Sequence, residues 1–585
     1  MLTHVLRYSC VFSLLSSTGI LQAQTISTPP ESAESFIREQ QRQQQFQQQM
    51  QPIPDIRLDT PAENPVQSHL PLQESPCFAI NQVQLTGDSA SKFQFALHAA
   101  LTKLDFQAGM CLGEQGINQL ATFAQNALLA RGFTTTRILV APQDLNGGQL
   151  ILTVIPGRIN EIRYEAPAGQ DDRAGRIGAF ANKFPAKAGD ILNLRDLEQG
   201  LENLKRLPTA EADIRIEPAA QPNQSDVIIV WHQQLLPYRL SLGVDDAGSR
   251  ATGKYQGNLT FSADNPLGLS DLFYVSYGRD LGHKASYTDS EGHTTGSGTR
   301  SLAVHYSLPF GKWLWALNHN RYRYHQAVAG DSQNYDYNGE SFNTDLAVSR
   351  SLYRDARRKS SATVKLWKRE SNSFIDDAEI EVQRRQTAGW QLGFNHKEYL
   401  GNATLNLAAA YKRGTGARQS LRAPEEDWDE GTSRMKIITA DADLNLPFSV
   451  GKQIFAYDAS VHAQWNKTPL IQQDKLAIGG RYTVRGLDGE LTLAAERGWY
   501  WQNTWSWQYL PAHQLYLGAD IGHVSGASAQ YLPGQTLAGG VLGLKGQLKA
   551  GGRLYYDVFA GKPFKKPAGF ETADTTLGFN LTYSF

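Results

Sequence analysis

The residues best placed to do chemistry in this 585-residue chain stand in one glycine-bracketed stretch: Gly479-Gly480-Arg481-Tyr482-Thr483-Val484-Arg485-Gly486-Leu487-Asp488-Gly489-Glu490. Glycines around a charged core let the backbone take positive φ and let a side chain be aimed. Arg485, between Val484 and Gly486, is the residue read as aimed. A second charged residue with cleared surroundings is Asp520, with Gly518 and Gly522 two positions away on either side. The chemistry of such a pair is noncovalent. A guanidinium and a carboxylate make a geometrically specific, charge-assisted contact that is strong in a confined polar site and weak on an open surface. The plainer readings are a solvated loop arginine and an aspartate with no particular partner. Bond-making chemistry has no comparable signal: there is no Gly-x-Ser-x-Gly elbow, His-Glu-x-x-His, Cys-x-x-Cys or Walker loop, and histidines such as His283, His293 and His305 are scattered. No catalytic residue, metal ligand or cofactor is assigned, and the chain is read as not an enzyme.

The elements that must position this pair come from the period-two pattern that begins at Tyr238. Tyr238, Leu240, Leu242 and Val244 alternate with polar or small residues, as do Tyr255, Gly257, Leu259 and Phe261, and at the end Leu577, Phe579, Leu581, Tyr583 and Phe585. A soluble sandwich can alternate in this way. A membrane β-barrel is favoured because the first and last strands both alternate and the chain stops on an aromatic. Trp499, Trp501, Trp505, Trp507 and Tyr509 share one parity, suited to an interfacial girdle. Tight turns are expected at Asp264–Gly268, Leu308–Gly311, Leu446–Phe448 and Leu510–Ala512. Long polar loops are expected near Gly282–Gly298, Val328–Gly339, Arg413–Ser433 and Pro469–Glu496. At about 40–45 residues per hairpin, segment 238–585 accommodates about 16 strands, enough to leave a polar lumen. In the strand Leu515–Val524, Leu515, Leu517, Ala519 and Ile521 would face lipid, leaving Tyr516, Gly518, Asp520 and Gly522 in the lumen.

The front of the chain reads differently. Residues 1–23 have the character of a secretory leader, with Arg7 before a modestly apolar core. Cys10 would leave with it, and in an exported protein Cys77 and Cys111 are expected to form one disulfide. The 56 basic and 57 acidic residues give no bulk attraction to nucleic acid. Thr28-Pro29-Pro30-Glu31 is a good helix start. Residues 28–50 would form a glutamine-rich helix that is polar nearly all round, suited to a water-lined cavity; a disordered tail is the alternative. A proline-rich linker (51–76) follows. Residues 77–156 and 157–235 carry one β-α-α-β-β pattern twice, the helices falling at Ser91–Leu104, Glu114–Arg131, Ala174–Phe184 and Leu194–Leu204. Either copy could accept an extended peptide on a strand edge.

With these elements in place, Val484-Arg485-Gly486 resembles the Val-Arg-Gly-aromatic signature of the sixth extracellular loop in the BamA/TpsB superfamily, and Gly518-Ala519-Asp520 resembles its partner motif on a barrel strand. Leu487 stands where that family usually has an aromatic. The order of leader, helix, linker, two modules, barrel and terminal Phe585 is similar to the two-partner-secretion (TpsB) transporters of haemolysins, adhesins and contact-dependent-inhibition toxins. The resemblance implies a mostly-β protein: a 16-stranded antiparallel transmembrane barrel (238–585) with loop 6 at 469–496, two α+β POTRA domains and a plug helix. It implies that the POTRA domains, in the periplasm, capture an unfolded TpsA-type exoprotein and that the pore secretes it without nucleotide. Implied surroundings are outer-membrane lipid and lipopolysaccharide, the barrel-assembly machinery during biogenesis, and a monomeric state. The first rival is an outer-membrane lipase with an unmarked Ser/His pair. The second is a BamA-type assembly factor, which usually carries more POTRA modules and no plug. The third is a diffusion porin or receptor, which has no use for two periplasmic modules.

Overall fold

The computed structural model describes residues 31–50, 54–59, 69–71, 74–166, 183–330 and 333–585. The leader, the Thr28-Pro29-Pro30 helix start, much of the linker and residues 174–182 of the expected helix Ala174–Phe184 lie outside the described residues, while 183–184 are not helical. The N-terminal helix spans Glu31–Met50. No described helix is long and apolar enough to cross a membrane.

Two small modules share one sheet order. In the first, Gln149–Ile155 is central, parallel to Gln82–Gly87 and antiparallel to Arg137–Leu139. In the second, Gln224–Gln233 lies between Arg158–Glu165 (parallel) and Ala210–Pro218 (antiparallel). Alternation decides which face is inside: Leu150, Leu152 and Val154 are buried and pack with Phe93, Leu97, Leu120 and Leu128 of the helices Ala90–Lys103 and Glu114–Ala130. The expected strand Phe78–Leu85 is split: Phe78–Ile80 turns away to pair with Met110–Leu112, while Gln82–Gly87 enters the main sheet. That side pairing sets Ala79 opposite Cys111, next to Cys77.

The remainder closes into a barrel of sixteen antiparallel strands, Tyr238–Asp245 through Thr576–Ser584, with the two-residue strand Ala378–Glu379 added in one loop. The last strand meets the first from Asn580↔Asp245 to Ser584↔Ser241, and the Phe585 and Leu240 backbones exchange two 3.1 Å hydrogen bonds. Closure leaves no unpaired sheet edge, the condition for strands to cross a bilayer. Trp499, Trp501, Trp505 and Trp507 on Arg497–Leu510 point outward, as do Leu517 and Leu542, so the apolar parity faces lipid.

Three turn and loop expectations are corrected. Leu446-Pro447-Phe448 is not a turn: the strand Lys436–Val450 runs through it and reverses at 451–452. Leu308-Pro309-Phe310 likewise belongs to the strand Gly298–Phe310, which reverses at 311–312. Both prolines lie past the last residue paired on one flank, Asn445 and Ser307 respectively, so that flank has no N–H to lose. The loop near Val328–Gly339 is largely strand, because Trp313–Ala329 and Asn334–Arg354 keep pairing to Ala329↔Asn334. Tyr324 and Tyr337 pack there with ring centroids 5.9 Å apart. The long loop after Gln453–Asn466 does form, and it folds back into the lumen before Arg497.

Candidate functional site

The site is the lumen together with what the chain itself puts inside. On the strand His513–Ser525, Tyr516, Gly518, Asp520 and Gly522 face inward. Arg485, descending from the loop, donates from Nε to Asp520 Oδ2 (2.7 Å) and from Nη2 to Oδ1 (2.8 Å), while its backbone N–H donates to Oδ2 (2.9 Å). Asn503 N–H completes the carboxylate at 3.2 Å, and Arg485 Nη2 also donates to the Asn503 carbonyl (3.0 Å). The Asp520 side chain is fully buried and that of Arg485 only 17 % exposed. A carboxylate removed from water is tolerable because every acceptor direction is met by a donor.

Glycine is what makes this approach physically open. A Cβ at Gly518 would lie 2.8 Å from Arg485 Nη2, and one at Gly522 would lie 2.9 Å from Val484 Cγ2. Gly486 takes φ +96° with its backbone pressed on the Lys562 carbonyl, where a side chain has neither the conformation nor the room. On the facing strands Thr536–Lys549 and Arg553–Lys565, Gly539 and Gly561 form a side-chain-free wall against the loop. Leu487, 3 % exposed, is buried with Ile478, Val484, Leu493, Val524, Leu537 and Phe570. Phe570, from the loop before the last strand, supplies an aromatic ring to the pocket that Leu487 enters.

Three further charges seat the loop. Arg481 pairs with Asp246 and donates to the Phe579 carbonyl (3.3 Å), fastening the loop to both strands that close the barrel. Asp488 accepts from Thr572 Oγ1 (3.0 Å) and Ala573 N–H (2.9 Å), and Glu490 accepts from Arg250 N–H (3.1 Å). Sequence reasoning placed Arg481, Asp488 and Glu490 in the stretch without giving them roles. Their partners are 84 to 240 positions away, and only their clustering signalled them.

The N-terminal helix lies in the lumen against the same loop. Arg38 donates to the Gly489 carbonyl (2.8 Å), Thr492 to Glu34 (3.3 Å) and Gln41 to the Ala477 carbonyl (3.4 Å); Ile37 packs with Ala477 and Ala494. Toward the wall, Arg42 reaches Gln256 and Ser301 (3.3 and 3.2 Å), and Phe36 meets Tyr322 and Tyr324 edge-on. The glutamines face a polar cavity of about 1340 Å³.

Beneath the barrel, the second module is hydrogen-bonded to the rim. Arg206 donates to the Ser270 and Ser307 carbonyls (3.1 and 3.2 Å), Asn203 to Gly311 (2.8 Å), Lys183 to Gly268 (3.0 Å), and Thr209 to Asp264 (2.9 Å). Leu272 of the barrel sits in that module's core. Burial pushes the Lys183 ammonium down to about 8, and burial pushes the Glu198 carboxyl up against the pull of Arg354 and Arg195. Cys77 and Cys111 are joined by a disulfide, Cα–Cα 5.3 Å. Beside it Glu74 caps the helix Glu114–Ala130, accepting from the Gly113, Gln115 and Gly116 N–H groups at 2.7–3.1 Å, a favourable place for an anion. Glu74 was hidden in the proline-rich linker.

A closed sixteen-strand barrel with a lumen holding its own helix and loop, standing on two α+β modules of one sheet order, defines an outer-membrane pore with periplasmic POTRA domains. Residues 223–546 match the haemolysin secretion/activation protein ShlB/FhaC/HecB family, 158–218 a POTRA domain and 78–157 a ShlB-type POTRA domain. The chain belongs to the ShlB/FhaC/HecB family of outer-membrane transporters of two-partner secretion. It is 35 % identical to outer membrane transporter CdiB-2 of Burkholderia pseudomallei, over 98 % of this chain and 99 % of the other. It is 25 % identical to the haemolysin transporter protein ShlB of Serratia marcescens, over 83 % and 81 %. Among solved structures, CdiB from Acinetobacter baumannii superposes with a TM-score of 0.80 at 32 % identity, covering 95 % of this chain and 99 % of that one.

Proposed function

We propose that the helix Glu31–Met50 is the resting plug of this transporter and that Arg485–Asp520 is the latch that holds loop 469–496 inside the barrel. An exoprotein, captured unfolded by the POTRA domains, passes through the barrel without nucleotide hydrolysis once the plug and its linker leave. The carrying observation is that the sheet is complete without either insert. Helix and loop therefore occupy the lumen as separable parts, joined to the wall and to each other by side-chain contacts. Polarity on nearly every face lets the helix sit in the pore or in water without a large penalty either way.

The second POTRA domain, fixed to the rim, delivers the chain, and the first offers the strand edge Gln82–Gly87 to an extended segment. The cargo is assigned to the contact-dependent-inhibition class, since the relative at 35 % identity is a CdiB transporter while the haemolysin transporter stands at 25 %. The outward aromatics contact outer-membrane lipid and lipopolysaccharide, the barrel-assembly machinery inserts the barrel, and the transporter works as a monomer. No catalysis is assigned.

Single-channel recording in planar bilayers tests the plug. Removal of residues 28–50 should raise the conductance of the purified protein; an unchanged conductance contradicts the plug.

A further inference from the structure

Six cations form a stripe up one wall of the lumen: Arg354, Lys359, Lys365, Arg369, Lys397 and Lys412, on the four consecutive strands Asn334–Arg354, Arg358–Ile375, Arg385–Leu400 and Ala403–Thr415. Five of the side chains face inward by parity, opposite to the lipid-facing Leu366, Leu392 and Leu407, and Arg354 is turned inward by the register shift between Ser351 and Tyr353 on the strand whose Leu346 faces lipid. What neutralises them is unusual. Arg354 pairs with Glu198 (2.8 Å) and Glu202 (3.0 Å), and Lys359 with Glu202 (2.5 Å), both acids belonging to the second POTRA domain. Lys397 pairs with Asp55 of the linker (3.3 Å). Arg369 and Lys412 share Asp474 of the long loop (3.0 and 3.3 Å). Only Lys365 faces an acid of the wall itself, Asp345, at 4.0 Å.

The resting counter-ions of this stripe thus come mostly from parts outside the wall: the linker, which leaves in the proposed transport cycle, the loop, and the module that delivers the cargo. Cations grouped in a confined lumen are costly when left unpaired. Departure of the linker takes Asp55 from Lys397, and any shift of the loop takes Asp474 from Arg369 and Lys412 together. The neighbouring helix offers little in replacement: it turns mainly glutamines such as Gln40, Gln44 and Gln47 toward the same cavity, and its acid there, Glu39, is already paired with Arg42 at 3.0 Å. The next strand, Lys436–Val450, ends the stripe with inward Asp441 and Asp443.

We propose that this stripe is a binding lane for carboxylate-bearing stretches of the polypeptide in transit, and that Asp55, Glu198, Glu202 and Asp474 are internal stand-ins for them. The lane rests on the reading of the barrel as the transport pore. It selects chemistry rather than sequence: Asp and Glu at any spacing an extended chain can present satisfy guanidinium and ammonium groups, and each new contact is made as an old one breaks.

The test uses planar-bilayer recordings of the protein lacking residues 28–50, with and without Lys365→Gln, Arg369→Gln and Lys412→Gln together. Synthetic Gly/Ser peptides carrying glutamate, glutamine or lysine at the same positions are added on the POTRA side. Glutamate peptides should block the pore several-fold longer than the other two, and the triple substitution should erase the difference. Equal residence of glutamate and glutamine peptides overturns the lane while leaving the pore intact. Failure of every peptide to enter overturns the pore reading and the lane with it. Should the triple variant not assemble, Asp474→Asn supplies the opposite sign: it bares Arg369 and Lys412, so glutamate blockades should lengthen and the reversal potential in a salt gradient should move toward anion selectivity. No change in either contradicts the proposal.

Discussion

Arg485 and Asp520 meet through two side-chain hydrogen bonds, reinforced by the Arg485 backbone N–H and by Asn503 on both partners. Removing one side of a buried, fully hydrogen-bonded charge pair costs about 3–5 kcal/mol, because the other charge is left without compensation. Arg485→Ala and Asp520→Ala should each abolish most secretion, and the double variant should be no worse than either single one, while the barrel still assembles and resists unfolding by detergent on gels. Arg485→Lys should not rescue, since an ammonium cannot supply the planar fork that reaches both carboxylate oxygens and the Asn503 carbonyl. Normal secretion by Arg485→Ala would remove the latch. Leu487 carries a second prediction at this scale. Its pocket already contains the Phe570 ring, so Leu487→Phe overpacks it at a cost of about 1–3 kcal/mol. The exchange Leu487→Phe with Phe570→Leu conserves volume and should recover the loss. Protease sensitivity of loop 469–496 in the intact protein reads both.

At the scale of elements, the junction between the second POTRA domain and the barrel is held by polar contacts to loop and rim carbonyls, and Lys183 makes it respond to pH. Its folded-state value, about 8, lies below the ordinary 10.5, so the charged form is disfavoured on docking. The stabilising contribution is fully present above 10.5 and is lost as pH falls through about 8. Docking should therefore tighten as pH rises from 8 to 10, measured as slower proteolysis between the domains, and Lys183→Met should flatten the profile. Much at this scale was legible. Strict alternation named the lipid face of Arg497–Leu510, and the repeated pattern gave two modules because the strands and the helices Ala90–Lys103, Glu114–Ala130 and Leu194–Lys205 carry their own apolar periods. Pro447 and Pro309 misled because a proline forbids a strand only where its missing N–H has a partner, and which flank is unpaired depends on the length of the neighbouring strand. The Val328–Gly339 loop misled because polar residues read as solvent exposure, whereas strands past the membrane continue to pair with polar side chains on both faces.

At the scale of the whole molecule, the chain keeps its pore occupied with its own polar parts, and the contacts that do so join residues up to 458 positions apart. The candidate pair Arg485–Asp520 was legible because glycines mark both halves. The opposing wall of Gly539 and Gly561 was not, since a glycine in a strand signals close approach without naming what approaches. The counter-ions of the basic stripe were hidden for a related reason: Asp55, Glu202 and Asp474 look like ordinary surface charges until linker, module and loop are brought to one wall. The central claim, that the helix must leave for cargo to pass, is tested most directly by stapling it in place. Ile37 and Ala477 touch inside the lumen; replacing both with cysteine should give an oxidised transporter that assembles but does not secrete, with secretion restored by a mild reductant. Undiminished secretion with the staple verified as closed would contradict the account.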